Sequence, residues 1–278
     1  MNRAVGILLL SVLLGFSPAA GTEQPVQPLR ILPLGDSITR GTYLARYESG
    51  VRQGQAVGLP NPDGGGWRKL LQDHLRAVGA AFDFVGELNY HSYGRDGVID
   101  AAFDPDHHGL AGFGNRQIIS GGKVPTLPDV LESIGKTEVV VPDLVTVLRK
   151  HRPEVILLLS GANGFDSAGR DELIRVINAN SPAHLFVATI LPQRAPRAGW
   201  EKVDTYNSSL PAIVALQRAA GYPVTLVDLH RALSADDLLA DGVHPSREGL
   251  AKIADGWFHA LQEAGFCRPE KTKLPISP

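Results

Sequence analysis

The sequence has a single cysteine and a single methionine in 278 residues. With Cys267 alone, no intrachain disulfide can form, so the fold must be held by its core, which a domain of this size can manage. Charge of one sign is also lacking. Lys and Arg number 27 against 29 Asp and Glu, for a net charge of -2, with no basic patch or stripe. That argues against a nucleic-acid partner or an anionic membrane surface. Long hydrophobic runs are absent too. The uncharged stretch Ala4–Phe16 falls short of the roughly 20 apolar residues that span a bilayer. No internal repeat is found.

What is present reads as an exported globular domain. Arg3, the leucine-rich run Ala4–Phe16 and the small residues Ser17, Ala19, Ala20 and Gly21 have the pattern of a secretory signal peptide over residues 1–21. The expected location is therefore secreted or periplasmic, without stable membrane insertion. Residues 22–28, with Pro25 and Pro28, form an extended leader. Residues 29–268 form one domain, whose 44% hydrophobic and 20% charged residues suit a sizeable core. The polar, proline-bearing stretch 269–278 is a loose tail.

Within the domain, apolar runs alternate with amphipathic segments. Strands are expected at Leu29–Leu34, Phe82–Val85, Val155–Ser160, Leu185–Ile190 and Val224–Leu229. Helices are expected at Trp67–Val78, Val139–Lys150, Asp171–Asn178, Val203–Ala219 and Ser246–Ala264. Such alternation argues for an α/β fold with a parallel sheet covered by helices on both faces. Two connections, Thr42–Gly66 and Leu88–Gly109, are too long for simple connectors, and each is a candidate wall of a site.

Four short blocks sit at predicted strand ends or loops that such a sheet gathers at one edge. Ser37 follows the first strand in Gly35-Asp36-Ser37. Gly112 closes His108-Gly-Leu-Ala-Gly112. Asn163 follows the most apolar strand, and Asp241-Gly-Val-His244 precedes the last helix. A hydroxyl becomes a competent nucleophile only when a base takes its proton, and His244 is that candidate base. Asp241 can receive the other ring N–H and fix the tautomer. The Ser37 and Gly112 N–H groups and the Asn163 amide are candidate oxyanion donors. Each also has an ordinary reading: a helix cap, backbone relief or a turn.

These blocks resemble the SGNH hydrolases, also called the GDSL esterase/lipase superfamily. RILPLGDSITRG, HHGLAG and LLADGVHPSREGLAKIADGW are similar to the acetyl xylan esterase branch of the secreted carbohydrate esterases. The likeness covers nearly the whole mature chain, FDFVGELNY and VILLLSGAN included. It implies a three-layer α/β/α, flavodoxin-like fold with a five-stranded, mostly parallel sheet. It also implies a triad of Ser37, His244 and Asp241, oxyanion donors at Ser37, Gly112 and Asn163, and no cofactor. The implied activity is hydrolysis of short-chain, acetyl esters on an acylated carbohydrate or other small ester. A lipase or lysophospholipase of the same superfamily, and a carbohydrate-binding protein that keeps the fold without catalysis, are the alternatives. Two departures stand out: Asn163 is followed by Gly164 where the family pattern has aspartate, and the second block lacks a glutamate.

Metal signals are weak. Asp104-Pro-Asp106-His-His108 starts like a calcium loop but fails at its fifth position, His108, and its twelfth, Asn115. His107 and His108 are adjacent, not at ligand spacing, so no metal site is expected. Trp200 lies in a polar loop where an indole could stack on a sugar.

Overall fold

The computed structural model describes residues 27–41, 65–89, 102–125 and 138–267. The signal-peptide reading of residues 1–21, most of the leader and the tail at 269–278 lie outside them, as does most of each long connection.

Strand β1 (Leu29–Gly35) is the axis of the sheet. It pairs in parallel with β2 (Phe82–Phe84) near its start and with β6 (Val155–Leu159) along its other edge. Strands β7 (His184–Ala188) and β8 (Val224–Val227) continue the sheet, giving the order β2-β1-β6-β7-β8, all parallel. The five expected strands are thus present. A sixth, the two-residue β3 (His108–Gly109), takes the edge of β1 at Leu34 and Gly35 beyond the end of β2. Two residues, His and Gly, carry no periodic signal, so sequence alone does not reveal it. Chain order reverses between β1 and its two neighbours, and doubly wound sheets open a crevice at such a switch point, outside the strand C-termini.

Side-chain alternation sends each strand into two cores. In β6, Ile156 and Leu158 join Leu32, Leu34, Leu185 and Val187 on one face. Val155, Leu157 and Leu159 join Ile31, Phe186 and Ala188 on the other. The first face is covered by α3 (Asn115–Ser120), α4 (Leu144–His151), α5 (Ser167–Asn180) and α7 (Leu210–Ala219). The second is covered by α2 (Trp67–Ala77), α8 (Leu229–Ala232) and α9 (Arg247–Glu263), whose Trp67 and Trp257 rings lie 5.8 Å apart. All five β6 side chains are buried, each stabilising the fold by roughly 1.5–3 kcal/mol relative to exposure. An unbroken apolar run in a strand follows from being covered on both faces.

Two expectations need correction. Val139–Lys150 is not one helix: Glu138–Val141 is β5, paired antiparallel with β4 (Gly122–Pro125), and α4 begins only at Leu144. Three successive valines favour a strand, Pro142 ends it, and Asp143 caps the helix by accepting from Thr146 N–H at 3.1 Å. Nor is Val203–Ala219 continuous. It divides into α6 (Val203–Ser208) and α7 at Ser209, with Pro211 in the first turn of α7, where a missing N–H is tolerated. Ser246 caps α9, its Oγ accepting from Gly249 N–H. Among the described residues no helix is long and apolar enough to cross a membrane.

Candidate active site

Gly35 ends β1 where nothing larger fits, since a Cβ there would lie 2.0 Å from Leu159 O. The next residue, Asp36, is buried and caps the short helix α1 (Ser37–Arg40), its Oδ1 accepting from Ile38 N–H at 3.0 Å. Ser37 is therefore the first residue of a helical turn, not its cap, and as such its N–H has no acceptor within the helix. Burial pushes the Asp36 carboxyl above its usual range, while the Ile38 N–H, the His244 ring and the N–H groups of Ala162 and Gly161 pull it down. One buried carboxyl thus faces the serine turn, the histidine and the loop after β6.

Arg68 of α2 is wholly buried and fans its donors onto Thr39 O, Arg40 O and Pro105 O at 3.0, 3.1 and 2.9 Å. It binds the end of α1 to the segment leading into β3. Gly41 and Gly65, at the two ends of the first long connection, are in backbone contact: a Cβ on Gly41 would lie 2.6 Å from Gly65 C.

The catalytic candidates meet above β1. Ser37 Oγ lies 2.9 Å from His244 Nε2, across 207 positions of sequence. His244 Nδ1 lies 2.5 Å from Asp241 Oδ2. The other oxygen, Oδ1, accepts from Val243 N–H and His244 N–H at 3.0 Å each, so the carboxylate is fixed by its own loop. Desolvation acts to raise the Asp241 pKa. The His244 ring's hydrogen bond and charge, with those two N–H groups, outweigh it and hold the carboxyl down to about 2. Asp241 is thus ionised across the working range and orients an imidazole whose far nitrogen faces the serine.

Gly112 has φ +82° and is exposed, in a turn that β3 leads into and that Leu110 N–H ties to Gly35 O at 2.8 Å. The adjacent Phe113 O accepts from Asn163 Nδ2 at 3.2 Å, bringing the second and third blocks together. That bond uses one of the two amide hydrogens, and the other has no partner among the described residues. Ser37, at the first turn of α1, and Gly112, Asn163, Asp241 and His244, on loops, thus stand at one end of the sheet.

Sequence reasoning missed what holds the Asn163 loop. Tyr206 of α6 donates through Oη to Ser160 O at 3.1 Å and accepts from Asn115 Nδ2 at 3.0 Å, while Ser160 Oγ donates to Asn115 Oδ1 at 2.7 Å. Gly161, at φ +127°, lies against this phenol, and a Cβ there would come within 2.3 Å of Oη. Burial raises the Tyr206 pKa to about 12, so it stays a donor. The aspartate absent at position 164 has a partial counterpart in Asp166, which caps α5 through Gly169 N–H and pairs with Arg116 at 3.0 Å. No periodicity or motif marks Tyr206 or Asn115, because both lie inside ordinary helices.

No group of three or more His, Cys, Asp or Glu side chains among the described residues is placed to hold a metal ion. Asp104 spends its oxygens on Phe84 N–H and Asp106 N–H, and His107 Nδ1 accepts from Gly109 N–H. Both ring nitrogens of buried His108 lack a hydrogen-bond partner. Trp67 and Trp257 are core residues, whereas Trp200 is 46% exposed.

Comparison with known proteins gives the family and the fold. A family model described as GDSL-like lipase/acylhydrolase matches residues 31–257. A multidomain esterase of Ruminococcus flavefaciens is 26% identical over 94% of this chain, which spans only 32% of that protein's length. A family 3 carbohydrate esterase of Clostridium thermocellum superposes with a TM-score of 0.60 at 26% identity, over 86% of this chain and 97% of that one. A family 3 carbohydrate esterase of Talaromyces cellulolyticus shares the fold, with a TM-score of 0.59 at 22% identity, over 85% and 97%. Fold, strand-end loops and family match converge: the chain belongs to the GDSL-like lipase/acylhydrolase family and has the SGNH hydrolase α/β fold.

Proposed function

We propose that this chain is a secreted serine esterase that removes short acyl groups, acetyl foremost, from a carbohydrate. The observation that carries the reading is the 2.9 Å contact of Ser37 Oγ with a histidine whose other nitrogen is held by Asp241. In the forward step Ser37 Oγ attacks the ester carbonyl carbon and passes its proton to His244 Nε2. Negative charge develops on the carbonyl oxygen, facing the N–H groups of Ser37 and Gly112 and the Asn163 amide. Collapse breaks the carbon–oxygen bond to the sugar, and His244 returns the proton to that alcohol. Water, deprotonated by the same histidine, then cleaves the acyl-serine and releases acetate. The similarity to a family 3 carbohydrate esterase supports a sugar as the alcohol. Export rests on the signal-peptide pattern of residues 1–21.

The test is acetate release from acetylated xylan, with p-nitrophenyl acetate and a long-chain p-nitrophenyl ester alongside, for the chain and for Ser37→Ala. Loss of the nucleophile should lower kcat by roughly 10⁴–10⁶ while the far-UV spectrum is retained. Equal turnover by both proteins would overturn the serine mechanism. Preference for the long-chain ester would replace the acetyl reading with a lipase.

A further inference from the structure

The loop after β7 borders the catalytic loop and the Asn163 loop together. Arg194 N–H donates to Gly242 O at 3.0 Å, and a Cβ on Gly242 would lie 2.3 Å from Arg194 O. The backbone at Arg194 therefore rests on the turn between Asp241 and His244. Three residues on, Arg197 Nη2 donates to Ala162 O at 3.2 Å, next to Asn163. Gly199 then abuts the Phe165 ring, and Trp200 follows, 46% exposed.

The loop that carries Arg197 thus touches both the segment of the candidate base and that of a candidate oxyanion donor. Arg197 is half-buried, makes that one hydrogen bond, and has no carboxylate partner among the described residues; its Nε is shielded from water without an acceptor. On the neighbouring segments Asp241 is paired with His244 and Asp166 with Arg116. With its Nε out of water and unpaired, the guanidinium still has N–H groups to offer an anion. Its planar fork matches a carboxylate. The indole three residues away offers a flat apolar face of the kind that sugar rings cover.

Resting on the esterase reading above, we propose that Arg197 determines specificity by holding the carboxylate of a uronic acid in the acylated glycan, with Trp200 beneath a sugar ring. The leaving group is then an acidic sugar.

Acetate release is measured on acetylated glucuronoxylan and on the same polymer with its carboxyl groups reduced to alcohols. The chain should show about tenfold higher kcat/KM on the acidic polymer, an advantage that shrinks with added salt. Arg197→Gln should bring the ratio to about one. If Arg197 merely tethers Ala162, and through it Asn163, the variant will lose rate on both polymers equally and keep the ratio, which overturns the proposal. Equal rates for the native chain on the two polymers overturn it as well. A calorimetric titration of Ser37→Ala with the two polymers gives a readout that needs no turnover. Tighter binding of the acidic form, lost on adding Arg197→Gln, supports the proposal even if every ester assay is blank and the esterase reading has failed. Equal binding of the two forms refutes it.

Discussion

His108 should make the fold sensitive to acid, and His108→Leu should remove that sensitivity. The ring is wholly buried in β3 with neither nitrogen hydrogen-bonded, and burial above all pushes its pKa down from 6.5 to about 4, with Glu87 opposing and His151 adding. Between those two values the unfolded chain binds a proton that the folded chain refuses, so stability falls as pH drops through this window. A gap from 6.5 to about 4, at roughly 1.4 kcal/mol per unit, amounts to about 3 kcal/mol lost by pH 4. The carboxyls of Asp36, Asp104 and Asp106, which burial raises, act in the opposite direction, but they are common to both proteins and cancel in the difference. Leucine is close in volume and removes two unpartnered polar atoms, so the variant should be at least as stable at pH 7. Urea unfolding followed by far-UV circular dichroism at pH 7, 5.5 and 4 measures it. A stability difference between the two proteins that stays constant across pH would show that His108 gains its proton as readily folded as unfolded, and would refute the reasoning.

Two further outcomes bear on the oxyanion loop. Asn163→Ala should lower kcat about 10²–10³-fold, the effect typical of losing one oxyanion donor, with KM for p-nitrophenyl acetate little changed. A loss confined to KM would remove Asn163 from the transition state. Tyr206→Phe deletes the hydroxyl that joins Ser160 O to Asn115 Nδ2 and should cost about 1–3 kcal/mol in urea unfolding. Because the same hydroxyl supports the backbone leading to Asn163, kcat should fall with it; a stability loss with kcat intact would mean the loop holds its pose without the phenol.

Much of the architecture was legible in the sequence because it rests on local pattern. Apolar runs of strand length between amphipathic segments imply a parallel sheet with two covered faces, and the five main strands fall where those runs lie. The failures were also local in cause. Val139–Val141 was absorbed into a helix because it abuts one, and the two-residue β3 is too short to have a period. At the site, the types and order of Ser37, Gly112, Asn163, Asp241 and His244 pointed to one chemistry, since a hydroxyl, an imidazole and a carboxylate are useful only as a set.

This inventory, and the sheet edge at which it should gather, follow from residue types and their order. Contact follows from packing. The 2.9 Å between Ser37 and His244, residues 207 apart, depends on how two loops are packed, as does the support that Tyr206 and Asn115 give to the Gly161 turn. Hydrogen bonds and the withdrawal of water depend on distances between segments remote in the chain, and no local periodicity encodes those distances. For the same reason Arg197 is an unremarkable loop arginine in the sequence, and becomes a half-buried cation without a carboxylate partner among the described residues only once the loop after β7 lies against Ala162.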